Sequence, residues 1–309
     1  MGGLLAWIAR TGRLWLIAGI VAGLLLPGAA QLLQPWIGEM VALLLLVTGI
    51  RVGARDALAL DAAGSTLRRV LALQFALPVS VLGLFWLTGW LDAPLCLAVA
   101  LMLCAPSLAG APSFAAMVGY DPAPGLRILV MGTALFPLTA LPAFTLLDPL
   151  GNGPVGALLL AAQLMAAILL AVGAGFGLRA AFPRLGQADA RPQLEGLAAL
   201  LLAIIVIGLM SAVGPMLRAD PVQLLGWIIA ALAINFGLHI GTLHLCRWLG
   251  VQNAVALSIF AGNRNIALFL LVLPDHIAAP LMIFIGCYQI PMYLTPMLVL
   301  RLHGRPDSP

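Results

Sequence analysis

Polar and charged positions fall in short clusters along this chain. Between them lie long apolar intervals with neither strand alternation nor the one-sided stripe of a surface helix. Uncharged intervals cover residues 14–38, 70–91, 93–120, 128–147, 149–178, 196–217, 221–246 and 277–300. Two further intervals each carry a charge: one runs from after Pro35 to near Val52 and holds Glu39, and the other covers roughly 251–274 and holds Arg264. A helix needs about 20 mostly apolar residues to cross the hydrocarbon core, so the pattern predicts ten membrane-spanning helices. Barrel strands would alternate over about ten residues, and these intervals do not.

Helix-stopping prolines sit at or near the ends of the apolar runs, at Pro27, Pro35, Pro149, Pro183, Pro192, Pro221 and Pro274 among others. Two runs are also interrupted inside. The fourth reads "APLCLAVALMLCAPSLAGAPSFAAMVGY", with Pro106, Gly110 and Pro112 near its middle, where they interrupt a helix. The ninth reads "SIFAGNRNIALFLLVLP" and is broken from Gly262 to Asn265. Spans four and nine hold the same place in two five-span halves, and an odd number of spans inverts the second half in the membrane. Matched interrupted segments are a sequence pointer to a transport site at the midplane. Unwound backbone in hydrocarbon costs several kcal/mol per unpaired group, so each break has to border a cavity or other polar groups.

Composition agrees with this reading. The 309 residues are 63% hydrophobic and 8% charged, with a mean hydropathy of +1.11, far from the roughly 25% charge of soluble domains. All 15 basic residues are arginine. With ten spans and both termini in the cytoplasm, the cytoplasmic segments hold Arg10, Arg13, Arg51, Arg55, Arg68, Arg69, Arg127, Arg179, Arg184, Arg191, Arg247, Arg301 and Arg305, and the other side holds Arg218. That asymmetry predicts both termini in the cytoplasm, and the expected location is the cytoplasmic membrane. Arg10 and Arg13 before "LWLIAGIVAGLLLPGAA" imitate a signal peptide, but the topology needs that stretch as helix one. The pI near 9.2 therefore reports topology and not nucleic-acid binding. Cys96, Cys104, Cys246 and Cys287 fall singly, without metal or disulfide spacing. No hydrolase or metalloprotease motif and no pair of acids at membrane depth suggests an enzyme. The partners the sequence implies are the lipid bilayer and a small molecule, and nothing in it sets an oligomeric state.

The run "LLLLVTGIRVGARDALALDAAGSTLRRVLALQFALP", then "LMLCAPSLAGAPSFAAMVG", "FPLTALP" and "FAGNRNIALFL", resembles the bile acid:sodium symporter family, within the bile/arsenite/riboflavin transporter superfamily, from about residue 12 to 300. The resemblance implies one transmembrane domain over 1–309. It would hold two inverted five-helix repeats, about 12–148 and 155–302, with a panel and a core whose broken fourth and ninth helices cross at the substrate site. Gln74, ahead of Phe75 and Pro78, matches a sodium-site glutamine of the family's third helix. The family's ninth-helix motif, Glu-x-Gly-x-Gln-Asn, falls on Phe260 to Asn265: Gly262 and Asn265 match, while Phe260 replaces the carboxylate and Arg264 the glutamine. In the fourth helix Pro112 and Ser113 stand where a serine and an asparagine would coordinate sodium.

A hard cation wants several oxygen ligands, preferably with a carboxylate, and none of the eleven acids lies within the two breaks. An ordinary two-sodium site is not expected, and no other cofactor is. Arg264, a fixed charge with five donors at membrane depth, suggests either a built-in cation in place of sodium or a group held by broken-helix carbonyls. The expected function is a secondary transporter of a small or amphipathic organic anion. Asn263, Arg264, Asn265, Ser113 and Gly110 would bind substrate, Gln74 and Arg264 would form the former ion site, and Pro106, Pro112 and Gly262 would shape the breaks. Asn235 and His239, four apart on one face of span eight, offer a proton-coupled efflux alternative with His239 as carrier. A ligand receptor that does not transport is the reading from another class.

Overall fold

The computed structural model describes residues 2–57, 63–91, 93–108, 110–117, 119–121, 123–148, 150–251 and 253–303. The helical segments that build the fold are α1 Gly2–Arg10, α2 Gly12–Leu25, α3 Pro27–Ala54, α4 Ala63–Thr88, α5 Pro94–Cys104, α6 Ala111–Met117, α7 Ala123–Leu147, α8 Gly153–Ala181, α9 Ala188–Ala219, α10 Pro221–Trp248, α11 Ala254–Gly262 and α12 Asp275–His303. Among the described residues there is no β-strand, only one isolated bridge between Ser107 and Arg264.

Seven segments, α3, α4, α7, α8, α9, α10 and Ile277–Thr295 within α12, are long and apolar enough to cross a membrane, and α1 with α2 makes an eighth if that bent pair is one span. Their outer faces carry large apolar side chains: Leu87 is 76% exposed, Leu170 73% and Val222 79%. Lipid, not water, is the medium such faces fit. The chain is an all-α integral membrane protein.

The start of the chain departs from expectation. The first long helix does not run over 14–38; it stops at Leu25, and the next begins at Pro27. Leu26 takes φ −117°, ψ 68°, outside the helical region, and Pro27 at the first helical position needs no N–H partner. Pro35, expected as the boundary, is instead absorbed in a short 3₁₀ turn, Gln34–Trp36, inside α3. An 84° bend separates the two helices of the first pair, and Trp7 meets Trp15 edge-on across it at 6.0 Å.

The described chain divides into two compact units, each drawn from both halves of the sequence. The first comprises Met1–Asp61, Leu159–Leu224 and Ala267–Gly286, the second Ala62–Leu158, Leu225–Ile266 and Cys287–Pro309. In the first, α9 is the central helix, against which α1, α2 and α3 pack. There α8 meets α3 backbone to backbone at a glycine pair: a Cβ on Gly175 would lie 3.0 Å from Ile50 N and 3.1 Å from Gly49 Cα, and would overlap Leu46 O. Small residues of this kind are how membrane helices approach closely. Gly175→Val should therefore part the two helices and lower the yield of folded protein in mild detergent several-fold, while Gly173→Val, which meets nothing within 4 Å, should leave it unchanged. In the second unit α4 packs on α7, and α11 packs on α6 and α7.

Candidate functional site: the crossing of two interrupted spans

Both interruptions foreseen in the sequence lie in the second unit, and they meet. The residues between α5 and α6 leave the helical path because Ala105 turns extended, at φ −62° and ψ 146°, ahead of Pro106. The residues after α11 do so because Asn263 adopts φ −100°, ψ 91°. The two extended strings run antiparallel for a few residues. Leu108 N donates to Asn263 O at 2.8 Å, Asn265 N donates to Pro106 O at 2.8 Å, and the Ser107 hydroxyl donates to Asn263 O at 3.2 Å. Backbone groups that unwinding frees at membrane depth are thus paired with each other, which removes the several kcal/mol per group that hydrocarbon would impose.

Arg264 holds this crossing from within. Its side chain is 1% exposed, and three of its five N–H groups donate to backbone oxygens from three different segments: Nε to Ala261 O at 2.9 Å, Nη1 to Ala105 O at 3.1 Å and Nη2 to Leu73 O at 3.0 Å. The Leu73 oxygen is available because α4 contains a π-helical turn at Ala72–Ala76, in which Leu77 N reaches back to Ala72 O. In a regular α-helix Leu77 N would take the Leu73 oxygen. Pro78 follows, and without an N–H it also releases the Gln74 carbonyl from the ladder. No carboxylate pairs with Arg264 among the described residues, whose ion pairs join Glu195 to Arg51 and Arg191. Oriented carbonyl dipoles, with no counter-charge among the described ion pairs, therefore meet a full positive charge.

The polar side chains around the guanidinium are bonded in turn. Gln74 is buried and donates through Nε2 to Cys104 O at 3.4 Å and Gly132 O at 3.3 Å. Gly262 ends α11, and its carbonyl accepts from Asn235 Nδ2 and from the Tyr288 hydroxyl, each at 2.6 Å. Asn263 is buried and bonds Ile259 O through Nδ2 at 2.9 Å, and the Thr295 hydroxyl lies 3.2 Å from Asn235 Oδ1 and 3.5 Å from Asn263 Oδ1. With two donors on one carbonyl, Tyr288→Phe should cost only about 0.5–1.5 kcal/mol in thermal or denaturant unfolding. Asn235→Leu should cost more, because it also takes away the acceptor beside Thr295.

The structure brings most of the expected residues together. Arg264, Asn263, Gly262, Gln74 and Pro106 are buried at or beside the crossing, and Asn265 and Gly110 are half-buried there. Pro112 is buried in the first turn of α6, so it starts that half-helix and does not break it. His239 is fully buried next to the end of α11: its Cβ is 3.5 Å from where a Cβ on Gly262 would lie. The Ser113 side chain lies outside the described residues, and Ser107 is the serine that bonds the crossing. Sequence reading missed Ser107, Tyr288 and the π-turn; a proline four residues after a buried glutamine was the available signal for the last. After Asn265 the chain continues as a 3₁₀ segment, Ile266–Leu271.

The oxygens at this crossing already face a fixed positive charge, which disfavours a sodium ion beside it. The carbonyls of Leu73, Ala105, Pro106, Ala261, Gly262 and Asn263 accept from protein N–H and O–H groups, and the guanidinium lies among three of them. No known protein-family model matches the chain, and no curated protein matches it.

Proposed function

We propose that the chain is a secondary transporter that moves a small organic anion by alternating access around the crossing, with Arg264 standing where a coupling cation would otherwise bind. The observation that carries this reading is the guanidinium, buried without a carboxylate and donating to carbonyls of three segments. A charge so costly to bury does two things at once. It ties the interrupted segments together, and it leaves a net positive field that favours an anion in an adjoining cavity. At 1% exposure the guanidinium acts through that field and through the backbone it holds, while half-buried Asn265 and Gly110 are the members a substrate can reach.

In this reading the seven long segments, helix one and the two interrupted spans make ten crossings in two inverted repeats, with both termini in the cytoplasm, as in the bile acid:sodium symporter family. The assembly of each unit from both halves of the sequence supports it. The protein has no catalytic role. Uptake of a panel of radiolabelled organic anions into proteoliposomes, run in sodium, potassium or a proton gradient, tests it. At least one anion should move, at equal rates in sodium and potassium. A protein that binds anions and moves none under any gradient is a receptor, and the proposal fails.

A further inference from the structure

A second feature of the same unit adjoins the crossing at Leu73. A groove of about 700 Å³ runs between α4 and α10, within the about 300–1,000 Å³ typical of small-molecule sites. Arg68 and Arg69 stand at one end of it, and Leu73, Leu77, Leu245 and Leu257 line its wall. Gly237 and Gly241, one turn apart on α10, make the room: a Cβ on either would meet no heavy atom within 4 Å.

We propose that this groove binds one anionic phospholipid, with the headgroup phosphate on Arg68 and Arg69 and an acyl chain along the leucines. Arg68 and Arg69 lie in the second turn of a membrane-spanning segment that starts at Ala63, at the depth of headgroups. Their guanidiniums present the fork that fits phosphate oxygens in pairs, and neither has an acidic partner among the described ion pairs. Basic pockets between membrane helices are a recurrent form of anionic headgroup site. Among the described residues the lining also holds no Asp, Glu, Phe, Tyr or Trp, and so none that would receive the ammonium of a zwitterionic lipid. The two glycines, spaced as in a helix-pairing motif, also suit a second copy of the chain, but an isologous pairing there would bring like charges together at the lip. Leu73 is shared: its side chain lines the groove and its carbonyl holds Arg264.

Native mass spectrometry of the full chain in detergent tests this, with dioleoyl-phosphatidylglycerol, dioleoyl-phosphatidylcholine and inorganic phosphate titrated separately. Phosphatidylglycerol should fill one site that phosphatidylcholine and phosphate do not. Arg68→Gln with Arg69→Gln should weaken it about 30-fold, while Arg184→Gln, an exposed arginine far along the chain, should not change it. Gly237→Leu with Gly241→Leu should fill the acyl half and abolish binding, yet hold the wild-type Tm, since both sites are open. Equal binding of the two lipids, full competition by phosphate, intact binding in the leucine variant, or a wild-type dimer that the leucine variant dissolves would each overturn the proposal. Because the readout is lipid binding and not flux, it stands or falls separately from the transport reading.

Discussion

Arg264→Ala should be among the most damaging single truncations in the second unit. It strands Leu73 O, Ala105 O and Ala261 O in a buried site, at about 1–3 kcal/mol each. Removing a buried charge returns part of that, because the guanidinium's own desolvation disappears. The balance still lies with the carbonyls, since alanine supplies no donor and leaves a cavity the size of the side chain. We expect a loss of at least about 3 kcal/mol, read as a large drop in Tm or in monodisperse protein on gel filtration. Arg264→Lys should fall between: an ammonium is a compact point donor, and three oxygens arranged around a flat fork cannot all be within its reach. A lysine variant as stable as the wild type would mean that charge alone, and not the fork, holds the crossing.

The second large effect is steric. Gly125, in the first turn of α7, meets the tip of the Phe260 ring, and a Cβ there would overlap its Cζ and Cε2 atoms. Phe260 is 1% exposed, with no room to retreat. Gly125→Val should therefore cost about 1–3 kcal/mol as overpacking, and the shifted ring would disturb the end of α11, two residues before Gly262. Phe260→Ala alone should also destabilise, by about 3–5 kcal/mol through its cavity. The two together should cost less than their sum, with a coupling of about 0.5–3 kcal/mol in a double-mutant cycle. Additive losses would show that the ring and the glycine do not share this contact.

Much of this was legible in the residues. The apolar intervals located the long segments, although α3, α4 and α9 begin seven or more residues ahead of them, and Pro106 and the Gly262–Asn265 stretch marked where two helices give way, because proline lacks an N–H and a polar run in hydrocarbon needs partners. Less legible was anything set by contacts distant in sequence. No periodicity shows that Leu73 O is freed by a π-turn to meet a side chain 191 residues later, or that Tyr288 caps Gly262. The N-terminal boundary was missed because two prolines, Pro27 and Pro35, offered the same stop signal, and only packing decides which is used. Asn235 was readable as a polar position on one face of span eight, but neither it nor Thr295 as part of one network around the ninth-span break.

If Arg264 does the work of a bound cation, anion flux in proteoliposomes, compared between wild type and Arg264→Gln, carries the signature in its sodium dependence. Wild-type flux should be the same in sodium and potassium, and the variant, with its fold checked by gel filtration, should lose most flux in potassium and regain part of it when methylguanidinium is added. Wild-type flux that vanishes without sodium would contradict the claim, as would a folded variant that carries the anion in potassium as fast as the wild type.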